Sequence, residues 1–366
     1  MNLETPLGGF GSNIEMGDSF WKNKKVLITG HTGFKGTWLT IWLQKLGAEV
    51  IGYSLEKYPN DIFFNETNIS LKITDVRGNI TDFDFLEKTF KKYSPEIVFH
   101  LAAQPLVRKS FDEPAETLKT NILGSINILE CMRLTNSVRA AVIVTSDKCY
   151  KNIEQINGYR ESDEMGGYDP YSCSKGCVEL IVDSYRNSFF KNQDKFIASA
   201  RAGNVIGGGD WSEDRLIPDC IRSLKENAII KIRNPKHTRP WQHVLEPLNG
   251  YMLIAEKMFK EKKYDEAWNL GPYIQSVKPV GEIVKSLIEI WGSGKLMDCS
   301  TPDVKHETTL LSLDISKSYF LLGWRPILDI YATIKYTTDW YKQVENESPY
   351  NLCFQQIREY ENKLKN

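Results

Sequence analysis

The stretch that most constrains this chain is VLITGHTGFKG, residues 26–36. An apolar run ends at Gly30, two more glycines follow at Gly33 and Gly36, and Trp38, Leu39, Ile41, Trp42 and Leu43 then recur with a helical period. The order predicts a strand, a tight turn and a helix. Free N–H groups at a helix start, at the positive end of its dipole, favour a phosphate there. Glycines let the turn form and let a ligand approach the backbone closely. The spacing is GxxGxxG rather than the commoner GxGxxG, so the turn alone is also compatible with a purely structural strand–helix connection.

Composition narrows the class. The 366 residues exceed the usual single-core size, so two domains or one domain with a large lobe is expected. A formal charge of -1 points to neither a nucleic-acid nor a membrane surface. No run of about eighteen apolar residues is present, so no membrane span is expected. Residues 1–20 carry Glu4, Glu15 and Asp18 and lack the basic start and apolar run of a secretory signal, which makes them a polar extension and cytoplasm the default location. Seven cysteines without a CxxC agree with a reducing compartment. Cys173 and Cys177, four apart on an expected helix, lack a His or Asp cluster to complete a metal site, so packing is the expected role and no metal is assigned.

Taken in order, residues 49–53 read as a second strand with Ser54 near its end, where an acidic side chain often selects NAD by holding the ribose hydroxyls. With Ser54 there, NADP is left open. Residues 58–68 read as an irregular connection, and a helix begins near Asp82, an N-cap, with Phe85, Leu86 and Phe90 on its apolar face. Residues 96–103 form another strand and small-residue turn, in which His100 is expected to be a hydrogen-bonded structural histidine. A helical segment covers 113–133, the strand 140–145 runs into Ser146, Asp147 and Lys148, and a sixth strand covers 196–202. This alternation predicts an α/β fold: a Rossmann-like, mostly parallel sheet with helices on both faces, ligands lying at the carboxyl ends of its strands. The expected organisation is an extension at 1–20, a dinucleotide domain at 21–203, a smaller mixed α/β lobe at 204–345 with segments returning to the sheet, and a polar tail at 346–366. Helices are expected at 213–227, 245–262, 278–291 and 329–345, with a strand at 229–233.

The chemistry centres on YSCSK, residues 171–175. If the helix starts near Pro170, Tyr171 and Lys175 lie one turn apart on one face. A lysine cation near a phenol lowers its pKa, so Tyr171 suits proton removal from an alcohol while hydride leaves the same carbon. Such a pair is common on helix surfaces. Its weight comes from following the glycine turn and the Thr145–Ser146 turn, in that order and at domain-sized spacing.

These features resemble the extended short-chain dehydrogenase/reductase family. The runs TGHTGFKG (29–36), TSDKCY (145–150), DPYSCSKG (169–176), RAGNVIGGGDW (201–211) and TRPWQHVLEPL (238–248) are similar to those of its nucleotide-sugar 4,6-dehydratases, in the branch acting on cytidine diphosphate sugars. The likeness extends from about residue 20 to residue 345. It implies a substrate such as CDP-D-glucose, oxidised at C4, losing water across C5 and C6, and reduced at C6 with one retained NAD. Around NAD it places Gly30, Thr32, Gly33, Phe34, Lys35, Gly36, Ser54, Asn79, Ile80, Leu101, Ala102, Ala103, Thr120 and Thr145, with Tyr171 and Lys175. Ser146 joins Tyr171 and Lys175 in the catalytic set, Asp147 stands where the family's acid protonates the leaving C6 hydroxyl, and Lys148 stands where thymidine-nucleotide relatives carry a glutamate base. A lysine is a poor base unless its pKa falls, so Lys148 is either that base or an electrostatic support for the enolate. For the nucleotide sugar the likeness implies Gln104, Asn204, Arg215, Arg239 and Trp241, the Arg239 fork suiting a diphosphate. Two departures stand out: Asn79 replaces a usual aspartate, and His237 precedes Thr238 where a small residue is common. The family implies a homodimer through the helices at 113–133 and 170–190. The alternatives are a dehydratase for a GDP-, dTDP- or UDP-sugar, a C4 epimerase or reductase of the same fold, or a non-catalytic NAD-binding scaffold.

Overall fold

The computed structural model describes residues 19–56, 61–191, 193–300 and 310–365. Most of the expected N-terminal extension, residues 1–18, lies outside them. Seven strands build the central sheet: β1 (Lys25–Thr29), β2 (Glu49–Ser54), β3 (Thr74–Arg77), β4 (Ile97–His100), β5 (Ala140–Val144), β6 (Phe196–Ala202) and β7 (Ala267–Leu270). Every pairing is parallel, in the spatial order β7-β6-β5-β4-β1-β2-β3. The order reverses between β1 and β4, so a crevice opens above Gly30 at the carboxyl ends of those strands.

Both faces of the sheet are dry, which explains the unbroken apolar strands. Val26, Ile28, Ile97, Phe99, Ala140 and Val142 point to one side, toward helix Phe34–Lys45 and helix Leu245–Lys260. Leu27, Val98, Ala141 and Ile143 point to the other, toward helices Phe83–Tyr93, Gly124–Leu134 and Pro170–Tyr185. Asp82 caps the first of these by accepting from Phe85 N at 3.1 Å. Asp169 caps the last by accepting from Ser172 N at 2.9 Å. His100 has the structural role expected of it: its ring nitrogens meet the Thr29 hydroxyl at 2.7 Å and the Ser125 hydroxyl at 3.0 Å, and burial holds its pKa down at about 3. No helix of the described residues is long and apolar enough to cross a membrane.

Three expectations need correction. Within 58–68, residues Ile62–Thr67 form a helix, because Phe63 finds a buried place beside Trp38 and Trp340 and Phe64 one beside His31. Cys173 is exposed rather than packed. Residues 346–366 are no surface tail: Pro349–Leu364 is a helix lying against helix Phe34–Lys45, with Leu352, Cys353, Ile357 and Tyr360 buried.

Glu246, fully buried, ties that C-terminal helix to the rest. Its Oε1 accepts from the backbone N–H of Ile327 (2.8 Å) and Leu328 (2.6 Å), and its Oε2 accepts from the Tyr360 hydroxyl at 2.7 Å. Burial raises its carboxyl pKa from the ordinary 4.5 to about 7. The folded state thus holds this proton more tightly than the unfolded chain does. The stabilisation is complete below the unfolded pKa and is lost as pH rises toward the folded one. Glu246→Gln keeps an acceptor and cannot ionise, so its unfolding free energy should lack this fall between about pH 5 and pH 7. Urea unfolding of both proteins across that window checks this; parallel curves contradict it.

Candidate active site

A cleft of about 720 Å³ follows the carboxyl ends of the strands. Its walls include Gly30, Thr32, Gly33, Phe34, Lys35, Gly36, Ser54, Asn79, Ile80, Leu101, Ala102, Ala103, Thr120, Thr145, Ser146, Asp147, Lys148, Tyr171, Asn204, Arg215 and Trp241. The folded chain therefore brings most of the sequence-predicted residues to one surface. Gln104, Lys175 and Arg239 are not in its walls.

At the glycine turn, backbone segments touch. Gly30 has φ +73°, and a Cβ there would sit 2.8 Å from Ala102 N; a Cβ on Gly36 would sit 2.0 Å from the Gly30 carbonyl oxygen. Only glycine fits either place. The turn feeds helix Phe34–Lys45, whose N-cap Gly33 supplies no side-chain acceptor, so its first N–H groups face the cleft uncapped. This cradle suits the diphosphate of a dinucleotide. The Thr32 and Ser54 hydroxyls meet at 3.0 Å. Asn79 lines the cleft, but its Oδ1 already accepts from Thr81 N at 3.0 Å, leaving the amide nitrogen as the group to offer a base. Beyond it, Arg77 is engaged by Asp75 (2.8 Å) and Asp61 (3.1 Å), and Asp75 also meets His31 at 2.9 Å. Thr120 donates to Glu116 at 3.1 Å.

The chemical end lies where β5 meets helix Pro170–Tyr185. Ser146 donates to Asp147 Oδ1 at 2.9 Å and shares a hydrogen bond with Tyr171. Lys148 Nζ approaches the same Oδ1 at 3.3 Å. Asp147 is fully buried, and its Oδ2 has no hydrogen-bond partner, an orphan oxygen in the cleft wall available to a donor or a proton. Thr145 turns its hydroxyl to Glu179, which also accepts from Ser199 (2.7 Å) and pairs with Arg201 (2.7 Å). The strand end is thus anchored by a buried ion pair.

Tyr171 is buried at the foot of its helix. Burial raises its pKa to about 12; the Ser146 hydrogen bond and Arg215 pull it down, and Asp147 pushes it up. The buried Lys175 ammonium donates to the Val144 carbonyl oxygen at 3.3 Å, with Nζ 5.9 Å from the Tyr171 ring centre. Burial lowers Lys175 itself to about 8.

The two specific runs are mostly scaffolding for this end. A Cβ on Gly208 would meet the Trp340 ring at 2.0 Å, and Gly209, at φ +84°, abuts Phe63. This packing sets Asp210, whose carboxylate holds Arg215 at 2.9 Å over the cleft. Strand Thr238–Pro240 pairs with Val277–Pro279, and Trp241 donates from Nε1 to Lys278 O at 3.1 Å while presenting its ring to the cleft. Gln104, expected at the substrate, is consumed by its own loop: it donates to Thr117 (2.8 Å) and Leu106 O (3.1 Å) and accepts from Leu106 N (2.6 Å). Sequence reasoning missed Arg233 and the Arg108–Asp214 ion pair, all in the cleft walls. Neither has a motif of its own, since the pair joins residues 106 positions apart. Among the described residues no group of three or more His, Cys, Asp or Glu could hold a metal.

Fold, glycine cradle and Tyr–Lys helix together define the extended short-chain dehydrogenase/reductase architecture. A family model described as GDP-mannose 4,6 dehydratase matches residues 27–337, and the chain belongs to this family. Among its relatives is CDP-glucose 4,6-dehydratase of Salmonella typhimurium, 46% identical over 330 residues, covering 88% of this chain and 92% of the relative. A dTDP-D-glucose 4,6-dehydratase of Dictyostelium discoideum is 29% identical over 250 residues, 64% of this chain and 56% of that one. A solved dTDP-glucose 4,6-dehydratase of Bacillus anthracis, in complex with NAD, superposes with a TM-score of 0.73 at 20% identity, over 90% of this chain and 99% of that one. UDP-glucose 4-epimerase of Thermotoga maritima superposes with a TM-score of 0.75 at 22% identity, covering 88% and 99%. At those identities the solved structures establish the fold.

Proposed function

We infer that this chain is an NAD-dependent hydro-lyase that converts CDP-D-glucose to CDP-4-keto-6-deoxy-D-glucose and water. The observation that carries the reaction is a buried carboxylate with a free oxygen, Asp147, sharing one cleft with the phenol of Tyr171 and the ammonium of Lys148. An epimerase needs the phenol but has no use for an acid beside it. The CDP assignment rests on the 46% identical relative.

Held at the glycine turn of Gly30, Gly33 and Gly36, NAD would supply a positively charged ring able to take up hydride from C4 and to give it back at C6. The residues of the chain manage the protons. Tyr171 takes the C4 hydroxyl proton, with Ser146 holding the phenol in place. The resulting ketone acidifies C5, and Lys148 removes that proton or steadies the enolate. Asp147 gives a proton to the departing C6 oxygen. Lys175 acts through the strand end, where its charge faces the Val144 carbonyl. Arg215, steadied by Asp210, and Arg233 supply positive charge for the diphosphate, and Asn204 and Trp241 supply walls for the sugar nucleotide. Arg239, on strand Thr238–Pro240, is a further fork for the diphosphate.

We also read the protein as a cytoplasmic homodimer. Helix Pro170–Tyr185 packs beside the helical segment of residues 114–134, and Leu123, Leu180 and Phe189 remain exposed there. The substrate assignment is tested by incubating the purified protein and NAD with CDP-, dTDP-, GDP- and UDP-hexoses and following loss of one water by mass. CDP-glucose is expected to be consumed fastest. Faster turnover of another nucleotide sugar overturns the cytidine assignment, and C4 epimerisation without water loss overturns the reaction.

A further inference from the structure

Two charged residues of the cleft walls have no part in the chemistry above. Arg108 stands on the short helix Val107–Asp112, which packs on helix Pro170–Tyr185 and so belongs to the dinucleotide side. Asp214 belongs to the lobe, in the loop between Asp210 and helix Leu216–Lys225. Their side chains form an ion pair that ties the two walls together, between positions 106 apart in the chain. The paired side chains are 45% and 48% exposed, whereas the Asp147 side chain in the same cleft is 1% exposed. The pair therefore spans the mouth, and Asp147 lies at the floor. The loop has supports of its own. Asp210 accepts from Ser212 N at 3.1 Å, and Arg222 donates to the carbonyl oxygens of Trp211 (3.3 Å) and Ser212 (3.4 Å). Asp214 itself has φ +59°, a left-handed backbone that few non-glycine residues adopt and that Asp and Asn tolerate best.

An ion pair half open to water is weak and screened by salt, so it opens and closes readily. An enzyme that carries one sugar through oxidation, elimination and reduction must keep that sugar in the cleft between the first step and the last. A sugar lost after the first step has given hydride to NAD and its hydroxyl proton to solvent through Tyr171. It leaves as a 4-ketone with its C6 hydroxyl intact and strands one reduced dinucleotide in the protein. We propose that the Arg108–Asp214 pair is a strap that closes the mouth of the cleft over the oxidised sugar and prevents this loss. Both are positioning residues, remote from the reacting atoms at the floor. The inference rests on reading the cleft as that of a dehydratase with a retained NAD.

The test is multiple turnover of CDP-glucose by the NAD-loaded protein, following both the absorbance of reduced dinucleotide and the sugars freed into solution. Arg108→Gln and Asp214→Asn should each raise the fraction of turnovers that end in free 4-keto sugar by about two- to fivefold, the range open to an exposed pair. Each such sugar should be matched by one stranded reduced dinucleotide, and the first oxidation should keep its rate. Asn suits the left-handed backbone as Asp does, so this change removes charge and spares the loop. Arg108→Lys, which keeps the charge, should leak at the unaltered level. The double variant should leak no more than either single one, because the two residues act as a unit. Raising salt from about 0.05 M to about 1 M should increase leakage from the unaltered protein, a readout that does not depend on a variant folding. Unchanged leakage in the single variants, additive effects in the double variant or a leak indifferent to salt would overturn the proposal. So would a raised KM without stranded dinucleotide, which would make Arg108 a direct ligand of the diphosphate. Absence of 6-deoxy product from the unaltered protein would instead overturn the dehydratase reading beneath it.

Discussion

Tyr171→Phe is expected to cut turnover by about a hundred- to ten-thousandfold, the usual contribution of a positioned proton-transfer group. Binding of NAD and of CDP-glucose should change little, because the ring stays and only the hydroxyl is lost. The step that fails is the first one. No 4-ketone forms, so the absorbance of reduced dinucleotide should not appear even transiently when enzyme, NAD and sugar nucleotide are mixed rapidly. The environment explains the size of the effect. Burial holds the phenol up at about 12, and the nearby lysine is turned to a backbone carbonyl. The hydroxyl is therefore a neutral, hydrogen-bonded phenol, and it becomes a competent base when positive charge joins Arg215 around it. Losing it removes an interaction that matters in the transition state, and the deficit is a difference measurement on that state. A large loss of binding with an unchanged first step would contradict the assignment.

Much of this was legible in the sequence, for identifiable reasons. The glycine turn was readable because close backbone contact at Gly30 and Gly36 excludes every larger residue. The parallel sheet was readable because burial on both faces leaves strands without polar interruptions. The start of helix Pro170–Tyr185 was readable because Asp169 and Pro170 are local signals. What escaped were effects that depend on distant partners. The C-terminal helix has a sparse apolar stripe diluted by charged residues, and its place to pack comes from helices Phe34–Lys45, Ile62–Thr67 and Ile330–Gln343 together with Glu246. Strand β7 follows a long excursion and is recognisable as a strand chiefly through its pairing with β6. Gln104 was assigned to substrate by likeness, and its hydrogen bonds to Thr117 and Leu106 could not be seen in a linear chain. The direction of the Lys175 ammonium was hidden for a similar reason. Helical spacing fixes which face a lysine shares, while the neighbouring carbonyl decides where its charge goes.

The measurement that bears most directly on the dehydratase account is a single turnover of CDP-glucose by Asp147→Asn in heavy water. The amide cannot give a proton to the C6 oxygen, so water loss should slow by about a hundred- to ten-thousandfold while C4 oxidation proceeds. The account predicts that reduced dinucleotide accumulates together with a 4-keto sugar that keeps its C6 hydroxyl. Deuterium should enter C5 without elimination. The unaltered protein should instead yield the 6-deoxy product carrying solvent deuterium at C5, with no lasting reduced dinucleotide. Formation of 6-deoxy product by Asp147→Asn at the unaltered rate would contradict the account.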